Sequence, residues 1–552
     1  MRGVLLHSIS DLSDAVENGL HRGGILFSTH PNVDAYAKEL YGVECKYLGN
    51  YLTLEEILEH SRFVSNTVDK LLLELDARIA PGLNSTLGCR MRYLTPLYSY
   101  IGKHHLLGYS CLEHALNKVI ENYSLSELTS YHLKGTSLVR KIHLGNFLDD
   151  LSSIRVETLE SKQADAENHL KIQDRLKYAC AKLQIDSRRN LRNLLRRIFD
   201  QPGTRRVSGR DRATIFVSGS LFDLEIIIDD LKSRYELFYF ENGAPSEDHE
   251  GWGLSTPLRL EAIRTDMLNN IGNVSVKAFL RDMLDDFSRN IHKYIQELQC
   301  VIGRHRKTGI SLGLWGNPPM SGPSSLAFEY LRSEGIKTIG LQHGASYGDQ
   351  VVPLDLDLDY RRCDFFISYG FTGEDLQRGY RDNVKIPADL EILPFGKLSN
   401  RKNNSGKLKD IDILFPVTNS VSLFDGGLSR NPFLTQMQID ILEYLNTKQG
   451  LSIIIKPMLF STHRNSVIFP FLSRCRNLKI INYLTLRDFL IRHSPRAVVI
   501  EYPSTTLYDI IDTDTEIFLL GDPINVYEEE ALTKLTRRVH FAESTEELFL
   551  LM

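Results

Sequence analysis

Four short stretches carry residue types able to hold or transfer a charged group. IKTIGLQHGASYGD (336–349) is an apolar run that stops at Gln342, His343 and Gly344. Imidazole titrates near neutrality and can take or give a proton. The glycine beside it permits a sharp turn and lets a substrate approach the backbone. VVIEYPSTTLYDII (498–511) reads as a strand ending at Glu501, a turn at Pro503, and a helix start bearing Ser504, Thr505 and Thr506. Free amides and the helix dipole favour an anion there. An ordinary N-cap accounts for one of those hydroxyls, less well for three. In SIIIKPML (452–459), Lys456 sits where a strand emerges and Pro457 ends the ladder. It either neutralises a phosphate or is a solvated strand-end lysine. ILFPVTNS (413–420) ends a first strand at Thr418 and Asn419, and first-strand loops of doubly wound sheets approach phosphates.

Carboxylates supply the remaining chemistry. Transfer without a metal needs a base or a nucleophile. Asp349, Glu501 and Glu241, which follows the strand YELFYF, have suitable positions, although each also suits a loop or cap. Gln342, Gly344 and Asn317, in the loop NPPMSGPSS, are expected to contact substrate. DLDLD (355–359), beside YRR, is read as a solvated loop, so no metal and no cofactor is expected. His30-Pro31 follows an early strand and is read as a turn. No GxGxxG, GxxxxGK[ST] or HExxH pattern is present, which leaves dinucleotide, P-loop and zinc-protease chemistry without support.

These residues need strands to present them. From Thr214 onward strands and helices alternate, including a long helical stretch over 256–306 and the βαβ unit GISLGLWG, LAFEYLRSEG, IKTIGLQHG. Such a unit implies a parallel sheet with a right-handed crossover. KLSNRKNNSGKLKD (397–410) is polar and reads as a linker, after which a second alternating series begins. Four regions are expected: an N-terminal α/β region (1–139), a helical segment (140–210), a first Rossmann-like lobe (211–400) and a second one (411–552). In the helix after CKYLGNYLT, Ile57, Phe63, Val64, Val68 and Leu71 are placed on one face. The chain of 552 residues is too long for one core.

The order GIKTIGLQHG, CDFFISYG, LPFGK, IIIKP, PSTTLYD resembles bacterial surface-polysaccharide glycosyltransferases of GT-B architecture. It looks like the capsule and lipopolysaccharide transferases that use CMP-activated ulosonic acids, and the teichoic-acid polymerases that use CDP-glycerol. The resemblance covers about 310–525 and implies two Rossmann-like α/β lobes facing a cleft, with a helical insertion in the N-terminal part. It implies that His343 faces the cleft, that Ser504 and Thr505, with Thr506, hold the nucleotide phosphate, and that Lys456 and Pro457 contact the nucleotide. The families' histidine after KP is Met458 here, a departure that bears on which base is bound. The implied partners are a nucleotide-sugar donor, CMP-linked by preference, and a glycan or lipid-linked glycan acceptor.

Other functions compete. A CDP-glycerol or CDP-ribitol phosphotransferase would move a phosphoalditol and release CMP. A scaffold would keep the fold and bind nucleotide sugar without turnover, and the KPM departure leans that way. An epimerase would need other acids near the donor. A net charge of -5 gives no overall attraction to nucleic acid. The seven cysteines form no CxxC pair, so reduced thiols and a cytoplasmic setting are expected. MRGVLLHSISDL lacks a leader's apolar core, and no run is long enough to span a bilayer. DSRRNLRNLLRRIF carries Arg188, Arg189, Arg192, Arg196 and Arg197 beside a leucine stripe. Such a helix either lies peripherally on the inner face of the cell membrane or packs on a core with its arginines in water.

Overall fold

A computed structural model describes residues 1–91, 96–132, 147–148, 155–160, 213–218, 227–228, 231–240, 260–316, 322–342, 359–380, 387–395, 410–418, 424, 434–457, 471–472, 475–481, 484, 486–521 and 529–552. Three parallel sheets follow one another. The first holds β1 (Arg2–Leu6), β2 (Gly24–Ser28), β3 (Cys45–Tyr47), β4 (Glu127–His132) and β5 (Arg155–Glu160), in the order β3-β2-β1-β4-β5. The second holds β6 (Thr214–Ser218), β7 (Glu236–Phe240), β8 (Ile310–Trp315), β9 (Lys337–Leu341), β10 (Phe365–Ser368) and β11 (Glu391–Pro394), ordered β11-β10-β9-β8-β6-β7. The third holds β12 (Ile411–Val417), β13 (Ile453–Pro457), β14 (Leu478–Ile480), β15 (Pro495–Ile500), β16 (Glu516–Leu520) and β17 (His540–Ala542), ordered β14-β13-β12-β15-β16-β17.

The later two sheets are the Rossmann-like lobes expected of a GT-B-like fold. Their central strands, such as ISLGLW and IIIKP, are largely apolar and buried along their whole length, as expected of strands covered on both faces. In each sheet the order reverses beside its first strand: between β1 and β4, between β6 and β8, and between β12 and β15. At such a reversal neighbouring crossovers leave to opposite faces and open a crevice at the strands' carboxyl ends.

Long helices fill the space between the first two sheets. Leu54–Leu87 starts with a capping box in which Thr53 and Glu56 satisfy each other's amides. It packs with Pro96–Tyr123, which packs in turn with Val274–Thr308. Their buried faces join Leu5 and Phe27 of the first sheet and Phe216, Trp315 and Phe366 of the second in one core. The N-terminal sheet therefore has no wholly separate core. The expected 256–306 stretch is two helices, Leu260–Asn269 and Val274–Thr308, parted where Asn273 caps the second.

Three expectations are corrected. β5 falls within the 140–210 stretch read as helical, because RVETLE finds partners along β4 that local pattern does not reveal. Ile57, Val64 and Val68 are buried, but Phe63 is 41% exposed and lies off their face. Asp359, the last acid of DLDLD, is completely buried rather than solvated, while 355–358 lie outside the described residues. The arginine-rich stretch 188–197 is also outside them.

Candidate functional site at the carboxyl ends of two facing sheets

Gln342 directly follows β9. Its side chain is buried, and its Oε1 accepts the backbone N–H of Tyr369 at 2.6 Å, while its own N–H is donated to Ile367 O at 3.0 Å. Gln342 thus ties the end of β9 to the end of β10, a structural duty beside the substrate contact expected of it. The ring of Tyr369 then meets the ring of Tyr508 at 5.2 Å. Tyr508 lies in the helix Thr505–Ile510 that follows β15. The carboxyl ends of β9 and β10 therefore face the start of that helix across the gap between lobes. A second bridge, Arg378 to Glu530 at 2.6 Å, joins exposed helices of the same two lobes.

Strand register decides which residues of the C-terminal lobe can share a ligand. Lys456 pairs with Pro416 of β12. It stands two residues after Ile454, so it points to the same face as Ile454, Leu414, Val498 and Ile500, where Leu507 and Ile510 pack. Ser504 and Thr506 begin that helix, so they and Lys456 share one face. Glu501 lies one residue past β15 and two after Val499, so it points to Val499's face, that of Ile413, Phe415 and Val417. The two groups therefore serve opposite sides of the sheet.

Lys456 is 3% exposed, and its ammonium donates one hydrogen bond, to Pro457 O at 2.7 Å. No carboxylate pairs with it among the described residues. Burial of the charge lowers its pKa to about 8. Ser504 is the N-cap, and its Oγ accepts from Thr506 N at 3.3 Å, so its own O–H proton remains for a ligand. The helix is only one and a half turns long, and Thr505 contributes its backbone to the first turn.

Glu501 is 2% exposed and stands at the β12–β15 reversal. One carboxylate oxygen accepts the Thr418 N–H, and the Thr418 carbonyl accepts from Gln438 Nε2 at 2.8 Å. The other oxygen is buried with no hydrogen-bond partner among the described residues. Burial raises the Glu501 pKa to about 7, against the opposing pull of the donors from Thr418 and Gln438. The backbone of Thr418 is spent on this network.

His343, Gly344, Asp349, Glu241, Asn317 and Asn419 lie outside the described residues. His30 follows β2 in the first sheet, away from both lobes' strands, and burial holds its imidazole down at a pKa of about 4. Sequence reasoning did not single out Tyr369, Tyr508 or Gln438. The two tyrosines were visible in ISYG and PSTTLYD, but only the meeting of the lobes gives them a role. Among the described residues no three His, Cys, Asp or Glu side chains could hold a metal ion, and no helix is long and apolar enough to cross a membrane.

Two lobes of parallel sheet, with a buried lysine and helix-start hydroxyls at one carboxyl edge, define a two-lobed α/β protein. Residues 144–511, more than half of the chain, match the model of the LIC12162 family transferases. The chain belongs to that family and is a transferase. No curated protein matches the sequence. Among solved structures it is similar to the UDP-GlcNAc 2-epimerase of Neisseria meningitidis bound to UDP-GlcNAc, at a TM-score of 0.37 and 11% identity over 61% of this chain and 90% of that one. It is similar to the UDP-GlcNAc 2-epimerase of Methanocaldococcus jannaschii at 0.35 and 10%, over 62% and 92%. It is similar to the glycosyltransferase SnogD of Streptomyces nogalater at 0.31 and 11%, over 60% and 87%. At these scores none of them defines this chain's chemistry.

Proposed function

We propose that the protein is a glycosyltransferase that moves a sugar from a nucleotide donor onto a bacterial surface glycan, with a CMP-linked ulosonic acid as the favoured donor. The observation that carries the reading is Lys456, a buried cation with spare N–H groups and no carboxylate partner among the described residues, on the same sheet face as Ser504 and Thr506. A buried charge left unpaired is costly unless a ligand completes it. A donor phosphate does so. In this reading Lys456 and the hydroxyls hold the departing nucleotide phosphate. His343 takes the proton of the acceptor hydroxyl as its oxygen bonds the anomeric carbon. The preference for cytidine comes from the resemblance of the QHG and PSTT strings to CMP- and CDP-using transferases.

Calorimetric titration of the parent and of Lys456→Met with CMP, CDP and UDP tests this. CMP or CDP is expected to bind the parent more tightly than UDP. Lys456→Met is expected to weaken binding by roughly 10- to 100-fold, the worth of a charge-assisted hydrogen bond. His343→Ala should keep nucleotide binding and lower turnover roughly 10²–10⁴-fold. Equal nucleotide affinity in a folded Lys456→Met protein would remove the phosphate site, and tighter UDP binding would remove the cytidine preference.

A further inference from the structure

Two buried polar groups of the second sheet's lobe stand without a partner, and both lie at its carboxyl edge. Trp315 ends β8 and is completely buried, and its Nε1–H has no hydrogen-bond partner among the described residues. Ser325 is 2% exposed, and its Oγ has none either. A buried polar group left unpaired costs stability, and native structures hold few of them. Two close together point to a ligand that supplies the missing acceptors.

Packing brings the two groups to one place. Trp315 pairs with Gly340 of β9, and a Cβ at Gly340 would lie 3.0 Å from Cε2 of the indole, the carbon bonded to Nε1. The indole N–H therefore sits over the end of β9, two residues before Gln342. Ser325 lies in the helix Gly322–Ser333, one turn before Phe328 on the same stripe. The Phe328 ring meets the Trp315 ring at 4.7 Å. The helix connects the parallel strands β8 and β9, so it runs back along the sheet, and its start lies towards their carboxyl ends. Helical side chains lean towards the helix start, which carries the Ser325 hydroxyl further that way. First-turn amides have no partner within their own helix, and the dipole favours an anion beside them. β8 is also a member of the β6–β8 pair at which this sheet's order reverses and a crevice opens.

We infer that the start of the helix Gly322–Ser333, with Ser325 Oγ–H and Trp315 Nε1–H, is a subsite for the carboxylate of an acidic donor sugar. The two side-chain donors are neutral, which suits a singly charged carboxylate better than a phosphate dianion. Glu329, one turn beyond Ser325, is paired with Arg332 at 3.5 Å, so its charge is balanced. The subsite and the Lys456–Ser504 group occupy facing carboxyl edges of two lobes, joined through Gln342, Tyr369 and Tyr508. A donor whose phosphate lies at Ser504 presents its sugar to the second lobe. The inference rests on the donor reading above and specifies the class of sugar, one that bears a carboxylate.

Calorimetry on the full chain tests it with two matched pairs, CMP-N-acetylneuraminic acid against its methyl ester and UDP-glucuronic acid against UDP-glucose, with CMP and UDP as references. In the pair that carries its preferred nucleotide, the parent is expected to bind the acid roughly 10- to 100-fold more tightly than the neutral partner, the worth of a charge-assisted hydrogen bond. Ser325→Ala and Trp315→Phe should each reduce that preference by roughly tenfold and leave affinity for the free nucleotide unchanged. Thermal melts of the free protein give a second readout. Ser325→Ala deletes an unpaired buried hydroxyl, so the free protein should melt higher while it binds the acid more weakly. If Trp315→Phe fails to fold, Ser325→Ala carries the test. Folded variants that keep the parent's preference would overturn the inference, as would equal losses for acid, neutral partner and nucleotide. A parent that binds acid and neutral partner alike would overturn it too. So would a Ser325→Ala protein that melts lower, since its hydroxyl would then be satisfied without a ligand. A parent that binds neither nucleotide nor either pair would instead reject the donor reading itself, and this inference with it.

Discussion

At the scale of single residues, the two buried titratable groups of the C-terminal lobe respond to pH in opposite ways. Lys456 has its pKa lowered from 10.5 to about 8 by burial. Between those values the unfolded chain holds more protons than the folded one, so stability of the free protein rises with pH across that window. Binding runs the other way, since a phosphate prefers the ammonium form. Nucleotide affinity is expected to fall above about pH 8, approaching about tenfold per pH unit for one linked proton. Lys456→Met should abolish that decline, and titrations from pH 7 to 10 measure it. A parent affinity that stays flat across this range would show that the ammonium does not meet the phosphate. Glu501 has its pKa raised from 4.5 to about 7 by burial. The folded state then holds the extra proton, so the stability present below pH 4.5 is lost as pH rises towards 7. Glu501→Gln keeps an oxygen for the Thr418 amide and carries no charge. Melts at pH 5, 6, 7 and 8 should show a decline in the parent and none in the variant. A variant that melts well below the parent at pH 8 would mean that the carboxylate form is the one the fold uses.

At the scale of elements, β9 is tightly packed towards its carboxyl end. Gly340 lies in β9, and a Cβ there would stand 3.0 Å from the Trp315 ring and 3.1 Å from that of Phe366. Trp315 ends β8 and meets Phe328 edge-on at 4.7 Å, so little room exists for it to retreat. Gly340→Val should destabilise the protein by about 1–3 kcal/mol through overpacking. Urea unfolding provides the check, and an unchanged midpoint would show that Trp315 can move aside. Apolar periodicity marked β9 and its end correctly. The reason a glycine stands one residue before Leu341 is a ring on the neighbouring strand, which the sequence keeps 25 residues away.

At the scale of the molecule, the lobes meet through two kinds of contact that differ in worth. Arg378–Glu530 is well exposed, at 45% and 52% for the two side chains. Pairs of that kind contribute roughly 0–1 kcal/mol, so Arg378→Ala should change unfolding free energy by less than about 1 kcal/mol. A larger loss in a double-mutant cycle with Glu530 would give the pair a role in holding the lobes. The aromatic contact Tyr369–Tyr508 joins the second sheet's β10 end to the helix after β15 through ring contact rather than charge.

What the sequence alone determined is local. Largely apolar runs identified the central strands of the second and third sheets, because strands covered on both faces leave a near-continuous hydrophobic signature. The polar residues that end those runs identified Gln342, Lys456, Glu501 and Ser504 as groups at carboxyl edges. The alternation around Arg155–Glu160 was too short to separate from the helical pattern after it, so β5 was missed. Only the tertiary structure decided which groups act together. Strand register put Lys456 with Ser504 and Thr506 and sent Glu501 to the opposite face, since neighbouring positions in a strand point to opposite sides. Only the meeting of separate lobes gave Tyr369 and Tyr508 their places, because contacts between lobes join residues whose separation along the chain carries no periodic signal.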